Sequence, residues 1–460
     1  MISKLLKLIL FFIICSLFSC SKNENEYAEI VENDINSGGS ATTYIQSSNA
    51  FTIPPSGLNA DEIAKHLLGD GAFDQTFVTY PSNQAGGLGP NYNQNSCVAC
   101  HVRNGRANPP QFENDLASGL LFRISLPGFT EHNEAINVPG FGTQLQTKAI
   151  FGVQPEGKIK ISYTPITENF EDGNFVTLQK PTYTITDTYV SLPSNVLISA
   201  RNAPPVFGLG LIDAIEERSI LAFADENDDN QDGISGKPNY SWDYETNSVK
   251  LGRFGLKASS YSLLHQTASA YNQDMGITSY LFQTENCFNQ SNCVDGLNPN
   301  FDVDNNTMKI TTFYTKSLGV PARRNVTNNS VKNGKQIFNS LDCVKCHIPK
   351  VTTGISEIAS LSNQIIFPYS DFLLHDMGDE LADKRTDFLA NGNEWKTPPL
   401  WGIGLTKIVN PKAQFLHDGR AKTIEEAILW HGGEGLNAKN KYKKLSLKDR
   451  NDLLAYINSL

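Results

Sequence analysis

Two C-x-x-C-H motifs, a run of period-two alternation between residues 118 and 200, and helical periodicity around both motifs predict the fold class. It is a mainly α fold of two c-type cytochrome domains, the first carrying a small antiparallel β insertion. The motifs are Cys97, Cys100, His101 and Cys343, Cys346, His347. With 8 Cys and 8 His in 460 residues, roughly 0.002 such matches arise by chance. The spacing has a chemical reason. Two thiols add across the two vinyl groups of one porphyrin, and the adjacent imidazole gives a nitrogen to its iron.

Length and composition bound the rest. The chain is long enough for two or three domains. Its net charge of -10 excludes a nucleic-acid binder, which wants a basic stripe, and it suits a basic electron donor as well as it suits simple solubility.

Residues 1–20 read as an export signal: Lys4 and Lys7, then an apolar run from Leu8 to Phe18. The run is too short to span a membrane. Its end, Leu-Phe-Ser-Cys, resembles a bacterial lipoprotein box, so Cys20 is the expected lipidation site and the mature chain is expected exported and lipid-anchored, on the periplasmic or cell-surface side. Residues 21–50, rich in Asn, Ser, Glu and Gly, read as a flexible tether. The first haem domain is placed at 51–310 and the second at 311–460, divided at the acidic, Asn-rich stretch 302–306.

Within the first domain, Asp61 to Leu68 is helical and leads through a Gly/Asn-rich approach to Cys97. The β insertion is expected to start after this motif and end before Ala200. A helix follows Pro204-Pro205, at about 212–223. Asp228, Asn230 and Asp232, followed by Gly233, match the first half of a calcium loop, but Asn239 stands where an EF-hand has its bidentate Glu; a calcium site and a solvated acidic turn are both open. Leu263, Leu264, Thr267 and Tyr271 mark a further helix. Cys287 and Cys293 lie in a polar loop, where a local disulfide and two free thiols are the alternatives.

In the second domain a short amphipathic helix bearing Ile337, Phe338 and Leu341 precedes Cys343. Thr423 and Glu426 have capping-box spacing. The last helix, Ser446 to Leu460, presents Leu453, Leu454, Ile457 and Leu460 on one face and has the character of the terminal helix of cytochrome c folds.

Taken together, GLGPNYNQNSCVACH, RNAPPVFGLGLIDAI, GRFGLKA, CVKCHIPK, LLHDMGDELAD, EWKTPPLWGIG and FLHDGRAKTIEEAILWHGGE resemble the di-haem oxidoreductase family, also labelled thiol-oxidoreductase-like. That family is related to bacterial di-haem cytochrome c peroxidases and to the enzyme that matures methylamine dehydrogenase. The likeness runs from about residue 60 to the C-terminus. It implies a division of labour in which the C-terminal haem passes electrons and the N-terminal haem meets hydrogen peroxide. It also implies an electron donor that is a small redox protein or quinol-linked.

The resemblance assigns residues. His431, fourteen after His417, falls where relatives carry a Met ligand, so the C-terminal iron is expected to be held by His347 and His431, with Met377 the competing ligand. The N-terminal iron keeps His101 and lacks a matching resting ligand, although His265 lies beside the distal segment. Gln266 fits the distal Gln, and Asp274 stands for the acid, two residues early and Asp rather than Glu. Asn202 fits a calcium ligand, completed by carbonyls near Lys412 and Gln414. The Trp bridging the haems in relatives has no match near Arg253 except Phe254. Peroxide reduction is the leading activity. The alternatives are a non-catalytic electron-transfer lipoprotein and an oxidase of a protein or thiol substrate.

Overall fold

The computed structural model describes residues 34–82, 85–113, 115–287 and 300–460. Asn36–Leu460 cluster as one compact unit. The expected mainly α pair of cytochrome domains is overturned: helix makes up 28% and strand 21%, in many small sheets. The physical reason lies between the motifs. Segments rich in Gly, Pro and Asn close as turns and short ladders instead of continuing helices. Val351–Thr352 pairs with Ile365–Ile366, and Leu374–Asp376 pairs with Glu394–Lys396.

The expected tether is shortened as well. Ala41 and Ala50 are fully buried, and Thr42–Thr43 pairs in parallel with Val320–Pro321. Cys20 lies outside the described residues, as does Cys293; Cys287 is disulfide-bonded. Among the described residues no helix is long and apolar enough to cross a membrane.

Two helix pairs frame the motifs. In the first, Ala60–Asp74 packs on Asn305–Lys316. Asn59 caps its start in a capping box with Glu62, and Asp304 caps the partner by accepting from the Thr307 N–H. Gly69 lets the backbones meet, since a Cβ there would lie 2.5 Å from the Ile310 carbonyl oxygen. In the second pair, Asn329–Ser340 packs on Leu447–Ser459. Gly334 plays the same part, with a Cβ reaching 2.0 Å from the Asp452 carbonyl oxygen. The C-terminal helix thus crosses the haem-leading helix where expected, capped by Ser446.

The β insertion is antiparallel, and it runs further than expected. Leu120–Phe129 pairs with Leu197–Asn202, so the last strand passes Ala200 and carries Arg201 and Asn202. Between these strands a long hairpin, Lys158–Asn169 with Phe175–Thr186, pairs along its whole length. Its tip leaves the insertion and docks on the C-terminal helices. Glu168 pairs with Lys439 and Lys443 at 2.6 Å each. Asp172 pairs with the buried Arg450 at 2.8 Å, and that guanidinium lies 3.9 Å over the Phe170 ring.

Candidate active site

The two C-x-x-C-H motifs are built alike. Cys97–Cys100 forms a single helical turn, and Cys343–Lys345 a 3-10 turn, each returning the next His N–H to the first cysteine's carbonyl. That turn places two thiols on one side and the imidazole beside them. His101 Nδ1 donates to the Pro204 carbonyl at 2.7 Å, and His347 Nδ1 donates to the Tyr369 carbonyl at 3.0 Å. Burial lowers both imidazoles to about 4. Each ring is therefore neutral near pH 7, and its Nε2 keeps the lone pair that an iron requires. A phenyl ring steadies each imidazole: Phe73 stands 6.1 Å from His101 and Phe338 6.2 Å from His347, both tilted by 50°.

Around the N-terminal motif opens a cavity of about 950 Å³. The helix Leu263–Met275, capped by Ser262 and stopped by Gly276 at φ 67, lays Gln266, Ala270, Gln273 and Asp274 along its wall. The sequence-predicted Gln266 and Asp274 are thus brought to Cys97, Cys100 and His101. Asp274 accepts from Gln144 Nε2 at 2.8 Å. Burial raises its carboxyl, against the pull of Arg123 and the Gln144 bond. It lies near enough to the thiols to help burial push Cys97 up to about 12. His265 also lines the cavity, its Nδ1 2.9 Å from Ser260 Oγ, and burial lowers it to about 4.

At the C-terminal motif His431 follows the short helix Ile424–Leu429 and donates from Nδ1 to the Ala427 carbonyl at 2.8 Å. This is a helix-capping bond, and it leaves Nε2 free to ligate. Burial is the main cause lowering His347, and the charge of His431 adds to it. Met377 instead sits in a turn, its N–H bonded to the Asn393 carbonyl and Gly378 N–H taken by Asp376. Cys346, Asp371 and His375 also lie within metal-binding distance of one another. His375 is however claimed by two carboxylates, Asp371 at 2.8 Å and Glu434 at 2.6 Å.

The structure separates the two calcium expectations. Asn202 is fully buried, and its Oδ1 accepts no hydrogen bond among the described residues; an orphaned acceptor of this kind fits a cation. The oxygens of Asp228, Asn230 and Asp232 are instead turned back onto their own loop N–H groups, and Asp232 also pairs with Lys345 at 3.1 Å. That loop has the form of a self-satisfied acidic turn.

Sequence reasoning missed three features. Gln144, from the β insertion, holds Asp274. Trp401 lines the cavity; the preceding Leu400 N–H bonds the Pro368 carbonyl, next to the Tyr369 carbonyl that holds His347. A short run of peptide and hydrogen bonds thereby joins the two sites, while Phe254 is buried in the cavity wall. The third is a set of buried cations on that wall. Only the aromatic WKTPPLW stretch gave any advance signal.

A family model described as "Di-haem oxidoreductase, putative peroxidase" matches residues 31–460. No curated protein matches the chain. Among solved structures, hydrazine synthase of Kuenenia stuttgartiensis, pressurised with xenon, aligns over 90% of this chain and 91% of its own at 12% identity, with a TM-score of 0.35.

Proposed function

The chain belongs to the di-haem oxidoreductase family, and on that premise we propose that it reduces hydrogen peroxide beside its N-terminal haem with electrons received at its C-terminal haem. Each haem c is joined by thioethers, one to Cys97 and Cys100, the other to Cys343 and Cys346. The single observation carrying the reading is Asp274, a carboxyl raised by burial in the wall of the cavity that holds His101.

When bound, the N-terminal haem supplies an iron that peroxide can approach and that passes on two electrons. The residues do the rest. Gln266 orients the oxidant by hydrogen bonding. Asp274 moves a proton from the inner peroxide oxygen to the outer one, so the O–O bond breaks with water leaving. With two electrons and two protons, one peroxide gives two waters. Gln144 keeps the carboxyl aimed. His101 and His347, fixed by their carbonyl partners, present Nε2 to the irons, and His431 completes the C-terminal pair. Asn202, through its buried Oδ1, would help hold a calcium ion. We further propose export and anchoring through a lipidated Cys20, with a small redox protein or quinol-linked donor delivering the electrons.

Asp274→Asn tests this reading. Turnover with a reduced cytochrome should drop at least tenfold, since general-acid help is worth about 10²–10⁴. The raised carboxyl sets the sign of the pH dependence: taking the proton from hydrogen peroxide needs the carboxylate form, so wild-type turnover declines as pH falls through the raised folded-state value. Unchanged turnover in the variant removes Asp274 from the mechanism.

One observation favours a second reading. His265 is neutral, lines the same cavity and has its Nδ1 engaged, so its Nε2 is suited to ligating the N-terminal iron. Both irons would then be six-coordinate and the protein an electron carrier. An EPR spectrum separates the two: a high-spin ferric signal belongs to the enzyme, two low-spin signals without response to peroxide to the carrier.

A further inference from the structure

The N-terminal cavity is charged in a way that the peroxide chemistry does not use. Arg123, Arg201 and Arg385 line one part of its wall, and Asp387 is the carboxylate among them. Arg201 and Arg385 both bond Asp387. Behind the wall Lys257, with no exposed side-chain surface, pairs with Asp383 at 2.8 Å. The cations outnumber these two carboxylates, and Asp274, in the same wall, is the further carboxylate whose charge acts on Arg123.

The surplus can be located. Arg123 forms no ion pair among the described residues; its hydrogen bond is a long 3.4 Å contact to Gln273 Oε1. Burial lowers it to about 10, with Arg201 and Arg385 adding to the effect and Asp274 and Asp387 opposing it. Arg385 is 3% exposed, yet its Nε has no hydrogen-bond partner. A buried guanidinium with donors left unused is costly to keep and favours an anionic partner. Planar forks of this kind match carboxylates two N–H groups at a time. Asp387 shows the complementary effect. Burial would raise it, but Arg201, Arg385 and Lys257 outweigh burial and hold it below the usual carboxylate range.

We propose that Arg123 and Arg385 anchor the two propionate carboxylates of the N-terminal haem and set its potential. The proposal rests on the di-haem reading. Cys97 and Cys100 would grip the porphyrin by its vinyl edge, which leaves the propionates to be met elsewhere in the same cavity. Two propionates would match two guanidinium forks with donors to spare, Arg123, whose hydrogen bond is a long one, and Arg385, whose Nε has no partner among the described residues. The cluster comes from strands of the β insertion, Leu120–Phe129 and Leu197–Asn202, and from the loop at 385–387, so the insertion would serve as the wall that receives the cofactor. Arg123 and Arg385 act here through the haem and are positioning residues.

The full-length holo-protein provides the test, by spectroelectrochemical titration with the two haems resolved by their spin-state bands. Removing a nearby cation favours the ferric form. Arg123→Met should therefore lower the N-terminal midpoint potential and leave the C-terminal one in place. Arg123→Gln, which keeps a donor toward Gln273, should lower it too, and Arg123→Lys should restore most of the wild-type value. An unmoved N-terminal potential in a variant carrying both porphyrins overturns the proposal and assigns the cations to an anionic substrate. An equal shift at both haems overturns it as well, as a general distortion. Porphyrin mass on the wild type keeps the two readings apart: if it is absent, the haem assignment itself has failed.

Discussion

The two motif regions share a frame and differ in what faces the iron. Each has a helix pair crossing at a glycine, a phenylalanine four residues on, and a tyrosine from the partner helix: Gly69, Phe73 and Tyr314 on one side, Gly334, Phe338 and Tyr456 on the other. The Phe–Tyr centroids are 5.3 Å apart in both. Each histidine is fixed by a backbone carbonyl. Beyond that frame the N-terminal side opens into a cavity with a buried acid, and the C-terminal side meets another imidazole. On the proposed reading one scaffold would hold an iron in two ways, and the second ligand would decide which is reactive.

His431→Ala should produce the largest change, because it erases that difference. The C-terminal haem should turn from low-spin to high-spin, with the N-terminal EPR signal unaltered; a persistent low-spin C-terminal signal would return Met377 to consideration as the ligand. The glycine crossings come next. Gly334→Ala drives a Cβ to 2.0 Å from a backbone oxygen, Gly69→Ala to 2.5 Å. Overpacking costs about 1–3 kcal/mol, so denaturant unfolding should show both variants weakened and Gly334→Ala the more so. If Gly69→Ala were the worse, the two crossings would not be equivalent. The smallest effect belongs to Gln144→Leu. Losing one hydrogen bond to Asp274 is worth about 1 kcal/mol, roughly fivefold in rate, and steady-state turnover should drop by that much with the C-terminal spectrum unaltered.

What was legible in the sequence follows from how local each feature is. The attachment motifs are local, and so are the caps at Thr423 and Ser446, and all were readable. Gln266 and Asp274 were assigned by the resemblance alone, and they lie eight positions apart on one helix in the wall of one cavity. The fold class was misjudged because turns and two-residue ladders, such as Thr42–Thr43 with Val320–Pro321, leave no periodic pattern. The guanidinium cluster was invisible for a related reason: Arg123, Arg201 and Arg385 come from three separated segments, and nothing in the spacing of single arginines announces a shared wall. The G-x-x-x-F repeat at 69–73 and 334–338 was present in the string and marks both crossings.

The long hairpin has a consequence for the order of assembly. Its strands precede the second motif in the chain, yet its tip fastens to Lys439, Lys443 and Arg450. A polypeptide that emerges N-terminus first cannot latch this clasp until its final residues are out. Until then the hairpin tip has no partner helices to close on, and both cysteine pairs precede the residues that fasten it.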